Sequence, residues 1–174
     1  MTIIRCIACA FVLAIATFGH ASLAAVVLPY DGSPLEKTAE NFPGEDYRLM
    51  IGKRSFSLSQ IEKLPTFQVK IKTYWGEDGV FIGVKFNDLL REAGIEEFRR
   101  VMVRASNDYK ITVSASDVGV GQTLLVYRID DAYLALNDKG PFWLVWPEQA
   151  EALLTGEEQG TQWIWGVVEI RKVR

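Results

Sequence analysis

Short runs of apolar, β-branched and aromatic positions recur along this chain, and one of them alternates with polar positions at the two-residue period of a strand. "FQVKIKT", residues 67–73, sends Phe67, Val69 and Ile71 to one face and Gln68, Lys70 and Lys72 to the other, as a half-buried strand requires. "YRLMI" (47–51), "VMVRA" (101–105), "YKITV" (109–113), "TLLVYRI" (123–129) and "AYLAL" (132–136) are short runs rich in β-branched or aromatic residues and predict further strands. "FWLVW" (142–146) and "QWIWGVVEI" (162–170) extend the same pattern. The helical period is confined to brief stretches. "SLSQIEKLP" offers Ser57 as N-cap with Gln60 three positions on, places Leu58, Ile61 and Leu64 on one face, and stops at Pro65. "VKFNDLLREAG" aligns Phe86, Leu89, Leu90 and Ala93 before Gly94, and a third short helix is expected from Pro147 through "EQAEALL". The opening stretch 26–48, broken by Pro29, Pro34 and Pro43, predicts an extended arm. Together these elements predict an α+β class: a mainly β single domain with short inserted helices.

The first residues break the pattern. Arg5, an apolar stretch from Ile7 to Phe18, and small residues at Ser22 and Ala24 have the layout of a secretory signal peptide cut near Ala24. The stretch of about a dozen residues is shorter than the roughly 20 needed to span a bilayer as a helix. The expectation is a signal peptide over 1–24 and one domain over 25–174, exported to the periplasm as a soluble protein without membrane insertion.

That cut changes the accessible chemistry. Both cysteines, Cys6 and Cys9, and the one histidine, His20, fall inside the removed segment. The remainder has no disulfide, no Cys or His for zinc or copper, and no histidine for a hydrolase triad. The absence of these groups points away from an enzyme. Loss of Arg5 takes the formal net charge from −3 to −4, and acids and bases alternate without blocks, so there is no basic stripe to attract nucleic acid.

Four of the five tryptophans fall in the last two apolar runs. In an extended "FWLVW", Phe142, Leu144 and Trp146 share one face while Trp143 and Val145 take the other, which would leave one of these two tryptophans in the core and the other on a surface or in a pocket. Trp163 and Trp165, two apart, would share a face about 7 Å from each other. These indoles are either core payload or a stacking platform for a flat heteroaromatic ligand. "RASNDYK" supplies a second constellation in Ser106, Asn107, Asp108 and Tyr109. Asn and Asp at a turn bond their own backbone, but the run also presents a hydroxyl, an amide, a carboxylate and a phenol able to read a polar ring edge. Asp108 suits an aminopyrimidine, whose two N–H groups a carboxylate accepts together. Thr73, Tyr74 and Trp75 in "KTYWGEDG" form either a pocket rim or an ordinary loop. "DVGVGQT" lacks the third glycine of a dinucleotide fingerprint and reads as a bent loop, while Asp130/Asp131 and Glu157/Glu158 read as a hairpin turn and a solvated loop.

Taken in order, "SLSQIEKLP", "FIGVKFNDLLREAG", "VRASNDY", "DKGPFWLVWP" and "WIWGVVEI" resemble the oxidoreductase molybdopterin-binding domain, the fold of sulfite oxidases. The resemblance implies a sulfite-oxidase-like fold over nearly all of the domain. Enzymes of that family bind molybdenum through a cysteine thiolate, and the corresponding stretch here, Ile71 to Trp75, has none. The chain is thereby similar to small secreted cysteine-lacking members that act as periplasmic pterin-binding regulators. What this implies is a tetrahydropterin-like ligand rather than molybdopterin, and the residues already singled out would receive it: Trp143 or Trp165 stacked on the ring, Ser106, Asn107, Asp108 and Tyr109 reading its edge, and Trp163 and Thr73 as further lining candidates. It also implies a partner: the periplasmic domain of a membrane-bound enzyme of cyclic di-GMP signalling, with an influence on biofilm formation. The alternatives are a molybdenum-cofactor oxidoreductase with a non-cysteine ligand, and a degenerate fold kept as a protein-interaction surface.

Overall fold

The structure, a computed structural model, describes residues 25–32, 35–38, 41–42, 47–118 and 121–173. The expected signal peptide over 1–24, with Arg5, Cys6, Cys9 and His20, lies outside the described residues, as do Pro34, Pro43 and Gly119. Among the described residues no helix is long and apolar enough to cross a membrane.

Two sheets carry the fold. The first contains β1 (Leu28–Pro29), β4 (Thr66–Lys72), β5 (Asp78–Lys85), β8 (Leu124–Ile129) and β10 (Trp143–Val145) in that order, with β9 (Ala132–Tyr133) paired to β8. The second runs β3 (Arg54–Ser57), β2 (Arg48–Ile51), β11 (Val167–Lys172), β6 (Arg100–Ala105) and β7 (Lys110–Ser114). The described residues are mainly β, with three short helices among them: α1 (Leu58–Ile61), α2 (Phe86–Glu92) and α3 (Ala150–Thr155). A 3-10 turn at Pro147–Gln149 leads into α3.

Local sequence explains most of these elements. At α1 both halves of the capping box form: the Gln60 amide donates to Ser57 Oγ at 3.2 Å, and the Ser57 amide donates to Gln60 Oε1 at 2.9 Å. Leu58 and Ile61 are then buried on one side, and Phe86, Leu89 and Leu90 of α2 are buried in the same way. Of the opening arm, Leu28 and Pro29 form a strand added antiparallel to the edge of β4, while Asn41 and Phe42 lie in a turn closed by the Phe42 amide on the Thr38 carbonyl at 2.9 Å. "AYLAL" shortens to the two residues of β9, because Leu136 through Lys139 turn back before β10.

Two strands lie where periodicity did not put them. In β5, five of eight residues are buried, and Gly79 and Gly83 interrupt the β-branched run by which strands are recognised. Gly83 is there because the backbone of β8 passes very close: an added Cβ would stand 2.2 Å from the Leu125 carbonyl oxygen. β3, "RSFS", pairs with β2 across a tight turn and is too polar and short to announce itself.

The core is continuous, and its bulkiest fully buried members include Trp143, Trp146, Phe81, Phe86 and Phe142. The division expected for the aromatic run is corrected here. Trp143 and Trp146 point to opposite faces, but both are 0% exposed, because packing covers β10 on both sides. Trp146 anchors its ring through an indole N–H donated to the Asp117 carbonyl at 2.6 Å.

Candidate functional site

Leu144 and Ile164 form an antiparallel bridge, Leu144 N–H donating to the Ile164 carbonyl at 2.8 Å and Ile164 N–H to the Leu144 carbonyl at 3.3 Å. That one bridge sets the register of the aromatic residues. With Leu144 opposite Ile164, the neighbours Trp143 and Trp165 fall opposite each other, as do Val145 and Trp163, all on the other face. The Trp143 ring lies 6.1 Å, centroid to centroid, from each of Trp163 and Trp165. Trp163 and Trp165 are not in a regular strand, yet they share the face that their spacing predicts.

A fourth indole closes the group. The hairpin 73–77 between β4 and β5 carries Trp75 over this face, 5.8 Å from Trp143, 5.7 Å from Trp163 and 5.5 Å from Trp165. The interplanar angles with Trp143 and Trp165 are 67° and 75°, the edge-to-face geometry that aromatic quadrupoles favour. Burial grades outward from Trp143 at 0% through Trp163 at 2% to Trp165 at 36%.

Beside the cluster is a hollow of about 350 Å³ lined mainly by Trp75, Trp163, Trp165, Asn107, Tyr109 and Thr161. Asn107 and Tyr109 come from the turn joining β6 and β7, and Thr161 from the segment before Trp163. The Asn107 side-chain oxygen accepts from the Tyr109 amide at 3.1 Å, so the Asn holds its own turn. Asp108 takes up a left-handed φ of 65°, which Asp tolerates better than most side chains. Tyr109 reaches across the mouth and donates its hydroxyl to the Thr161 carbonyl at 3.1 Å, joining the turn to the segment before Trp163.

Of the residues proposed from sequence, the fold therefore gathers Trp163, Trp165, Asn107 and Tyr109 around one hollow. It places the others differently. Trp143 forms the buried backing of the cluster rather than an open face. The Asp108 carboxylate turns to Arg104 at 3.2 Å, outside the lining. Ser106 is exposed beside Gly166, whose carbonyl accepts from the Ser106 amide at 2.8 Å. Thr73 is buried and donates its hydroxyl to Glu77.

Glu77 and Lys139 are the residues that sequence reading missed. They form an ion pair with side-chain exposures of 18% and 15%, and the Lys139 ammonium stands 5.5 Å from the Trp143 ring centroid and 6.0 Å from that of Trp165. Burial pushes the Glu77 carboxyl up, but hydrogen bonds from Lys139 and Thr73 outweigh it and hold the group below its ordinary value. Burial likewise opposes the charge on Lys139, while the hydrogen bond and charge of Glu77 prevail and hold the ammonium above its ordinary value. Neither residue belongs to a recognisable local motif, and the pair forms only when the 73–77 hairpin meets the loop before β10.

The stretch 71–75 does not fit a molybdenum centre. It has no thiolate, and its one buried hydroxyl, on Thr73, is committed to Glu77. Among the described residues no group of three or more His, Cys, Asp or Glu is placed to hold a metal ion. What the site defines is a mainly β two-sheet domain with a tryptophan-walled hollow and a neutral polar rim. No family model matches the chain, and no curated protein matches it.

Proposed function

We propose that this protein is a periplasmic, non-enzymatic ligand-binding module whose tryptophan hollow takes a flat, polar-edged heteroaromatic molecule of the pterin type. The observation that carries the reading is the hollow itself: three indoles, Trp75, Trp163 and Trp165, converge on one space beside an amide and a phenol. A planar bicyclic ring offers such walls a large apolar face, and its edge needs a few fixed hydrogen-bond groups. Asn107 and Tyr109 supply these from the rim. Asp108 sits between them in sequence, and its solvent-exposed pair with Arg104 is weakened by screening, so the carboxylate can exchange it for the amino group of a ligand.

The ordered blocks that resemble the molybdopterin-binding domain support a sulfite-oxidase-like fold and, with the missing cysteine, a pterin rather than a metal cofactor. On this reading the ligand-bound protein engages the periplasmic domain of a membrane-bound cyclic di-GMP enzyme, so that pterin supply sets the signalling state.

The test is isothermal titration with a tetrahydropterin under anaerobic conditions. Saturable one-to-one binding, weakened on the order of tenfold or more when Trp165→Ala removes the exposed wall, is the expected result. A flat trace with the wild-type protein, or unchanged affinity in a folded Trp165→Ala variant, sinks the stacking reading.

A further inference from the structure

A second cavity lies away from the tryptophans, under the opening arm. Tyr30 follows β1, and its amide donates to the Thr66 carbonyl at 2.9 Å, which fixes the arm to the start of β4. Beneath it is a pocket of about 190 Å³ lined by Tyr30, Leu35, Glu62, Thr66, Tyr127 and Arg128, together with Gly32. It shares no lining residue with the aromatic hollow.

Arg128 is the unusual member. It is 3% exposed, a burial that arginine rarely reaches without a partner. Its Nε–H is buried with no hydrogen-bond acceptor, and among the described residues no carboxylate pairs with it. Among the described residues, the contact that faces its charge is the Tyr30 ring, whose centroid is 5.0 Å from the guanidinium carbon. Glu62 is in the same pocket but is already engaged: one oxygen accepts from Lys37 at 2.9 Å and the other from the Tyr133 hydroxyl at 2.5 Å.

A guanidinium does not shed its proton in a protein, so a buried one calls for a counter-charge. The groups around the cavity are suited to hold one. Thr66 donates its hydroxyl to the Leu64 carbonyl at 3.2 Å, which leaves the Tyr127 hydroxyl, 3.3 Å from Thr66 Oγ1, as a donor able to turn to a ligand. Burial pushes the Tyr127 phenol up, so it keeps its proton at neutral pH. The cavity is several times the roughly 30 Å³ that a water occupies in the liquid, room enough for an oxyanion and a short carbon stub.

We infer that the Arg128 pocket is a binding site for a small oxyanion, a carboxylate or phosphate group, with Arg128 as its charge partner, Tyr127 as a hydroxyl donor and the Tyr30 ring packed over the guanidinium. Arginine's fork of N–H groups matches both anions in geometry. The inference stands apart from the reading of the aromatic hollow and is tested with different probes.

The experiment is calorimetric titration of the whole protein, in chloride buffer, with inorganic phosphate and separately with succinate. Saturable binding of at least one anion is expected, with a matching rise in Tm by ligand linkage. Preference for phosphate assigns the site to a phosphate-bearing ligand, and preference for succinate to an organic acid. Arg128→Gln is expected to weaken binding on the order of tenfold or more, and Tyr127→Phe several-fold. Flat traces with both anions overturn the inference, as does unchanged affinity in Arg128→Gln. Should Arg128→Gln fail to fold, Tyr127→Phe decides, and unchanged affinity there overturns the assignment.

Discussion

The ring of Trp75 stands edge-on to the ring of Trp165, centroids 5.5 Å apart at 75°, although the two residues are 90 positions apart in the sequence. One comes from a hairpin tip and the other from the approach to the last strand. Their meeting makes the hollow, and it divides the tryptophans into those that support the fold and those that face a ligand.

Substitution should separate these roles. Trp143→Ala removes a side chain with no exposed surface and is expected to cost about 3–5 kcal/mol in chemical denaturation. Trp165→Ala, at 36% exposure, is expected to cost clearly less while abolishing or strongly weakening ligand binding. Equal destabilisation by both changes, with binding intact in Trp165→Ala, would mean that the cluster is only packing.

The Glu77–Lys139 pair predicts a defined pH window. Glu77 is held below its ordinary 4.5, so its contribution to stability is present above that pH and is lost as pH falls through the lower folded value. Lys139 is held above its ordinary 10.5, so its contribution is present below that pH and is lost as pH rises through the higher folded value. Glu77→Gln should therefore lower stability by about 1–3 kcal/mol at neutral pH, since it leaves the part-buried Lys139 with the exposed Asp138 carboxylate, 3.4 Å away, as its remaining counter-charge. Thermal unfolding of both proteins across pH checks this: the gap between them should narrow below pH 4.5, and a constant gap refutes the assignment.

Gly83→Ala is expected to be among the most damaging single-methyl changes in the chain. The new Cβ would meet the Leu125 carbonyl oxygen at 2.2 Å, a backbone atom in the middle of the sheet that cannot rotate away. Urea titration should show a loss of about 1–3 kcal/mol or more, whereas a midpoint like that of the wild type would show that β5 and β8 can part without cost.

Ser57→Ala removes the hydroxyl that accepts from the Gln60 amide, and a loss of about 0.5–2 kcal/mol is expected. Ser57→Asp, which restores an acceptor, should recover most of it. The pair of variants distinguishes capping from simple packing at this buried serine.

The sequence alone determined those features that depend on neighbours along the chain. The alternation in "FQVKIKT", the strand at "VMVRA", the Ser57/Gln60 capping box and the apolar side of α2 all appear in the structure, because each is a local pattern with a local physical cause. The face shared by Trp163 and Trp165 was legible on the same ground. Tertiary structure alone decided which faces are covered. Alternation assigns Trp143 and Trp146 to opposite sides of β10, but only the packing on both sides makes both of them core. It also decided the partners: Trp75 over the indoles, Glu77 with Lys139, and Arg128 buried beneath Tyr30 with no carboxylate partner among the described residues. Periodicity specifies the direction in which a side chain leaves the backbone, whereas burial, charge pairing and a binding hollow depend on which distant segment arrives at the end of it.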